Sequence, residues 1–151
     1  MPKLLNIPEY KDKRGLMQII LESNFHPKII KMTTSREFSL RGFHYQKPPF
    51  LQKKIVFLIE GEIQDVLLKV DSEGKSLDEF VEFRLKANSN TCAIEIPENW
   101  AHAYLTLSKE SKLLYLCNET YGNEISINPL IYNQWSKAKN FLNISEKDLN
   151  D

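Results

Sequence analysis

Two adjacent prolines, Pro48 and Pro49, interrupt a stretch, Leu40 to Val56, that is otherwise rich in strand-forming residues. Proline lacks a backbone N–H and its ring fixes φ, so a Pro-Pro pair cannot lie in a central strand or a helix interior. The segment LRGFHYQKPPFLQKKIV therefore reads as one strand, a stiff turn and a second strand that leads into the apolar run Ile55 to Ile59. A hairpin of that kind would place His44, at the end of the first strand, near Lys54, at the start of the second, with Arg41 close by. An imidazole that can be neutral near neutral pH, beside two permanent cations, suits an anionic substrate from which a proton must be removed. Taken one at a time, these residues are equally well explained as solvated turn residues or a hydrogen-bonded structural histidine. The ordered set is what points to a site.

The remaining chain repeats the strand pattern. Lys28 to Leu40 is β-branched with polar interruptions and reads as strand rather than helix. Further short strand-like runs cover Lys53 to Glu60, Glu62 to Asp71, Phe80 to Ala87, Thr91 to Ile96, Ala103 to Leu107 and Lys112 to Thr120. Turn signals at Glu60-Gly61, Ser72 to Lys75, Ala87 to Asn90, Pro97 to Asn99 and Ser108 to Ser111 separate them. Evenly spaced short strands without a long helical period predict an all-β antiparallel sandwich or jelly roll. Met1 to Tyr10 reads as an extended lead-in, Asp12 to Gly15 as a turn and Leu16 to Leu21 as a strand. The tail predicts a short helix over Trp135 to Leu142 and a capped turn over Ile144 to Asp148. With 151 residues, 42% of them hydrophobic, the chain can fill one core, and residues 1–151 are expected to form one domain.

Twenty basic and twenty acidic side chains cancel, so no global field steers this protein to nucleic acid or an anionic membrane. An anion must be caught by a local cluster. Cys92 and Cys117 lie in strand-like runs without metal-binding spacing, which predicts reduced structural thiols. The first residues carry no apolar signal core and no run reaches the length of a membrane span, so a cytoplasmic protein is expected.

The central segment resembles the RGLHYQ-x-PP-x-x-Q-x-K-LV signature of the dTDP-4-dehydrorhamnose 3,5-epimerase family, cupin-type jelly rolls acting on nucleotide-linked keto sugars. Other motifs agree. Asp12 to Gly15 resembles the family's D-x-R-G turn, Pro97 with Trp100, Ala101 and His102 its IP-x-x-x-AHGF turn, and Ile144 to Asp148 its LSEKD close. The resemblance implies an enolate mechanism with no cofactor and no metal. His44 would abstract a proton beside the ketone, Lys54 would hold the keto oxygen and Tyr115 would return a proton on the other face. Arg41 and His102, with Arg14 from a partner subunit, would hold the diphosphate of a nucleotide-linked keto sugar, and Gln46 and Tyr121 would also contact the substrate. The protein would be a homodimer.

The sequence departs from the pattern at several positions. Met17 and Ile19 stand where the family carries an aromatic and a glutamate for the base, and Ile29 and Lys31 where it carries a glutamine and an asparagine facing the sugar. Lys31 becomes a candidate sugar contact. Asn128, in Ile127-Asn128-Pro129, stands where an aspartate is expected to orient the basic histidine. An amide can fix a tautomer but cannot stabilise an imidazolium with charge, which predicts a weakened His44 unless another carboxylate helps. Asp65, a lone acid inside an apolar strand, is the candidate helper. These departures leave three readings. The first is an epimerase of a 4-keto-6-deoxy sugar nucleotide, inverting carbon 3, carbon 5 or both, with thymidine or another base, in deoxysugar or surface polysaccharide synthesis. The second is a weak or inactive cupin that binds a sugar nucleotide. The third, a metal-dependent cupin, lacks an H-x-H neighbour at His44.

Overall fold

A computed structural model describes residues 1–21 and 24–149. In chain order the strands are β1 (Lys3–Leu4), β2 (Glu9–Asp12), β3 (Gly15–Gln18), β4 (Ile29–Arg36), β5 (Ser39–Gln46), β6 (Lys54–Glu60), β7 (Glu62–Val70), β8 (Ser76–Lys86), β9 (Ala93–Ile96), β10 (Trp100–Thr106), β11 (Glu110–Cys117), β12 (Glu124–Ser126) and β13 (Asn143–Ile144), with short helices α1 (Asn133–Lys137) and α2 (Glu146–Leu149). They form an antiparallel jelly roll. One sheet has the order β1-β9-β6-β11-β4 and the other β12-β5-β10-β7-β8, with β13 added in parallel beside β5 and β2-β3 a separate hairpin. The all-β expectation holds, and the strands expected between Lys53 and Thr120 agree with β6 to β11 to within a few residues, whereas β2, β12 and β13 were not expected as strands.

The packing explains the apolar runs. Alternate residues of β6, β7, β9, β10 and β11 meet between the sheets, where Val56, Leu58, Ile63, Leu67, Ile94, Tyr104 and Leu113 form the central core. The six-stranded sheet also buries its outer face, because Phe43, Val66, Leu68 and Ala103 pack under Trp135, Leu130 and Ile144 of the tail. For that reason β7 and β10 are apolar almost throughout instead of alternating. The indole N–H of Trp135 donates to Gln64 Oε1 at 2.8 Å, so the tail is both packed and hydrogen-bonded to the sheet. A shorter helix than expected, α1, followed by a 3-10 turn at Lys139–Phe141, carries it.

Two expectations about chain path are corrected. β5 and β6 do not pair as a hairpin: β5 pairs with β10 and β12, whereas β6 pairs with β9 and β11. The Pro48-Pro49 turn instead carries the chain from one sheet to the other. The two glutamines flanking it fix this crossing: Gln46 Nε2 donates to the carbonyls of Phe50 and Thr120, each at 2.9 Å, and Gln52 Nε2 to that of Glu119 at 2.7 Å. Likewise Lys28 to Leu40 is not one strand. Phe38 adopts φ +62°, and the turn there sends β4 and β5 into different sheets.

Candidate active site

A regular strand would point Arg41 and His44 to opposite faces, because they are an odd number of residues apart. The structure turns both toward one hollow, His44 half-buried and Arg41 exposed. The register of β5 on β10 pairs His44 with His102 but Arg41 with Tyr104, so Gly42 and Phe43 together face the single residue Ala103. This is a β-bulge, and Gly42 makes it possible. Its φ is +108°, and a Cβ there would lie 2.7 Å from the Ala103 Cα. Phe43 keeps its side chain in the outer core against Trp135, while the side chains on either side of the bulge turn inward.

The bulge also organises His44. His44 Nε2 lies 2.9 Å from Asp148 Oδ1, and the Gly42 N–H donates to Asp148 Oδ2 at 3.1 Å. Asp148 comes from α2 and is almost fully buried, whereas the His44 ring is about one-third exposed. Burial pushes the Asp148 carboxyl up, but the hydrogen bond and charge of His44, the Gly42 N–H and the Ser126 hydroxyl outweigh this and hold it below the ordinary carboxylate range. Asn128 therefore does not orient His44. Its Oδ1 accepts from the Leu130 N–H at 2.9 Å, capping the turn at Pro129–Ile131, and its Nδ2 donates to the Leu149 carbonyl at 3.3 Å. Asp65 does not help His44 either. It is fully buried in the six-stranded sheet, its two oxygens 2.9 and 3.0 Å from His102 Nε2.

A cavity of about 240 Å3 opens in front of these groups. His44, Arg41 and His102 line it from the six-stranded sheet, and Lys54, Tyr115 and Lys31 from the five-stranded sheet. Lys54 is buried, which pushes its ammonium pKa down. The cation Lys31 adds to that, while the Cys117, Glu124 and Asp65 groups oppose it. Tyr115 is buried too, and its phenol is pushed well above its ordinary value by burial first, then by Tyr104 and Asp65. Arg41 Nε donates to Ser35 Oγ at 2.8 Å, and Ser35 shares the Tyr104 hydroxyl with Thr33. Lys31 Nζ donates to Tyr121 Oη at 2.9 Å. Such a cavity can take a proton from carbon on one wall, hold the resulting oxyanion on a cation and deliver a proton from the other wall.

The structure thus gathers His44, Lys54, Tyr115, Arg41, His102, Tyr121 and Lys31, and sets four candidates apart. Gln46 is buried in the crossing turn and Asn128 caps a helix. Asp65 stands behind His102. Arg14 is 84% exposed on the β2–β3 turn, held by Asp12. Sequence reasoning missed Asp148 as the carboxylate at His44, and Thr33, Tyr104 and Glu124 as further lining residues. The only signal for Asp148 was its place in the closing Ser-Glu-Lys-Asp turn. Hollow size alone does not identify the site: a larger one, about 610 Å3, lies beside Lys3, Lys53 and Trp100 and contains no histidine.

Among the described residues no group of three His, Cys, Asp or Glu side chains is placed to hold a metal ion, and no helix is long and apolar enough to cross a membrane. Cys92 and Cys117 are buried free thiols.

Comparison with known proteins agrees with the motif reading. A family model described as dTDP-4-dehydrorhamnose 3,5-epimerase matches residues 4–151. A dTDP-4-dehydrorhamnose 3,5-epimerase of Methanothermobacter thermautotrophicus is 32% identical, over 93% of this chain and 83% of that protein. One of Shigella flexneri is 35% identical, over 55% of this chain and 45% of that protein, so the chain spans less than half of that relative. The fold resembles the crystal structure of dTDP-6-deoxy-D-glucose-3,5-epimerase from Legionella pneumophila in complex with dTDP-4-keto-L-rhamnose, with TM-score 0.78, 24% identity and coverage of 95% of this chain and 82% of that one.

Proposed function

Because this chain belongs to the dTDP-4-dehydrorhamnose 3,5-epimerase family, we propose that it epimerises a nucleotide-linked 4-keto-6-deoxy sugar through an enolate, at carbon 3, carbon 5 or both, in deoxysugar synthesis. One observation carries the reading. The imidazole of His44 and the phenol of Tyr115 line the same cavity from opposite sheets, with the Lys54 ammonium beside them. Inversion needs a proton removed from one face of the ring and another supplied to the opposite face.

The steps follow from these placements. Neutral His44 takes the proton from the carbon next to the ketone and becomes an imidazolium, which the Asp148 carboxylate stabilises. The electron pair left on carbon is delocalised onto the keto oxygen, where the ammonium of Lys54 balances the charge. Tyr115 then gives its proton to the opposite face of the same carbon and is left as tyrosinate. Exchange with solvent returns a proton to Tyr115 and removes one from His44. The weakened base expected from Asn128 has no structural ground, since a carboxylate already faces His44.

Arg41 and His102 would hold the diphosphate, anchoring a ring with few handles of its own. The protein would work as a homodimer in which Arg14 reaches the partner's site. Its extreme exposure on a hairpin tip, clear of this chain's own cavity, supports that role.

The test is a proton NMR time course in heavy water with 4-keto-6-deoxy sugars linked to thymidine or guanosine diphosphate. The wild type should incorporate deuterium and invert at least one carbon, and His44→Asn should do neither. Deuterium incorporation that persists undiminished in His44→Asn would remove His44 as the base.

A further inference from the structure

Lys31 is the cation lining the cavity that the mechanism above does not use. Its strand, β4, pairs with β11 so that Lys31 lies directly opposite Tyr115. Its Nζ lies 5.1 Å from the Tyr115 ring centroid and 4.8 Å from that of Tyr121, with the Tyr121 hydroxyl accepting its hydrogen bond at 2.9 Å. No described carboxylate lies within ion-pair distance of it, and its hydrogen bond to Tyr121 leaves the ammonium with donors to spare. Lys31 helps push down the pKa of the buried Lys54, a like-charge repulsion within one cavity. Sites where like charges are crowded are commonly those where an opposite charge develops during the reaction.

We infer that Lys31 is a positioning residue for Tyr115, holding the ring between itself and β10 and stabilising the tyrosinate formed when Tyr115 delivers its proton to the enolate carbon. This rests on the epimerase reading of the same cavity. The enolate charge is met by Lys54, so a second cation is free for the second anion. In the step concerned the Tyr115 O–H bond breaks, a C–H bond forms with the enolate's electron pair, and the phenol oxygen keeps the negative charge, shared into a ring whose face Lys31 covers. The other groups around Tyr115 act mostly the other way. Burial, Tyr104 and Asp65 disfavour a tyrosinate, and Arg41 favours it. His102 packs edge-on against the ring with its Nε2 turned to Asp65. Lys31 is the one cation seated over the ring itself.

The experiment separates proton removal from proton delivery. Reversible removal by His44 appears as deuterium exchange with retention, and delivery by Tyr115 as inversion. In Lys31→Met the ratio of inversion to exchange should fall about tenfold, the size expected for one desolvated cation–aromatic contact. Lys31→Arg, which keeps a permanent charge able to stack on the ring, should restore most of it. An unchanged ratio in Lys31→Met, with both rates lowered together, would overturn the inference and make Lys31 a mere substrate contact. So would a lowered ratio that arginine fails to restore. A wild type that neither exchanges nor inverts any of these sugars would instead remove the epimerase reading itself.

Discussion

Asp148 meets His44 Nε2 with one carboxylate oxygen and the backbone N–H of Gly42 with the other, at 2.9 and 3.1 Å. His44 is therefore oriented from a helix at the far end of the sequence, through a bulge that frees a donor from the β ladder. Asp148→Asn keeps the shape and removes the charge that stabilises an imidazolium. Deuterium incorporation should fall on the order of a hundredfold or more. Asn128→Asp, which adds a carboxylate where only a helix cap is needed, should leave the rate within about threefold.

The same carboxylate gives the fold an acid limit. Its pKa in the folded protein lies below the ordinary 3.8. The stabilisation is therefore complete above that pH and is lost as pH falls through the lower, folded value. Unfolding measured over roughly pH 5 to 2 should show a steeper loss of stability for the wild type than for Asp148→Asn.

Gly42 cannot be exchanged for alanine without cost. A side chain there meets the β10 backbone and must accept a positive φ. Gly42→Ala should lose about 3 kcal/mol in denaturant unfolding. If it folds, it should lose exchange activity as well, because Arg41 and His44 no longer turn inward together.

Lys54 pits function against stability. Its ammonium is buried, and burial pushes its pKa down. Lys54→Met should lower the inversion rate on the order of 10^2 to 10^3 and raise unfolding stability by about 1–3 kcal/mol. In the wild type the folded protein releases this proton below the ordinary 10.5. The alkaline limb of activity should therefore begin below that pH, where Lys54 becomes neutral.

Tyr115→Phe keeps the ring against His102 and removes the proton. Exchange with retention should persist while inversion drops by two orders of magnitude or so.

The strands and most of the cavity were legible in the sequence, because apolar alternation and an ordered motif are local signals. The sheet each strand joins was not. A Pro-Pro pair announces a turn, yet whether β5 and β6 pair or part depends on β9, β10 and β11, which lie far along the chain. Asp148 escaped for the same reason. In a short closing turn an aspartate reads as a helix-capping charge, and its partner His44 sits 104 positions away. Asn128 was drawn into the site by its proline, whereas its amide serves the local turn. Asp65 did stand out as an acid within an apolar strand, but the histidine it serves is His102, two residues along β10 from its cross-strand partner Tyr104.

The crossing at Pro48-Pro49 has a mechanical consequence. His44 and Lys54 hang on separate layers, so no loop sets the gap between them. Val56, Leu58, Ile63 and Leu113 do, like shims between two plates about 10 Å apart. Trimming a methyl group from one of these distant shims would let the plates settle, and the proposed epimerisation would grow careless about handedness before the fold grew fragile.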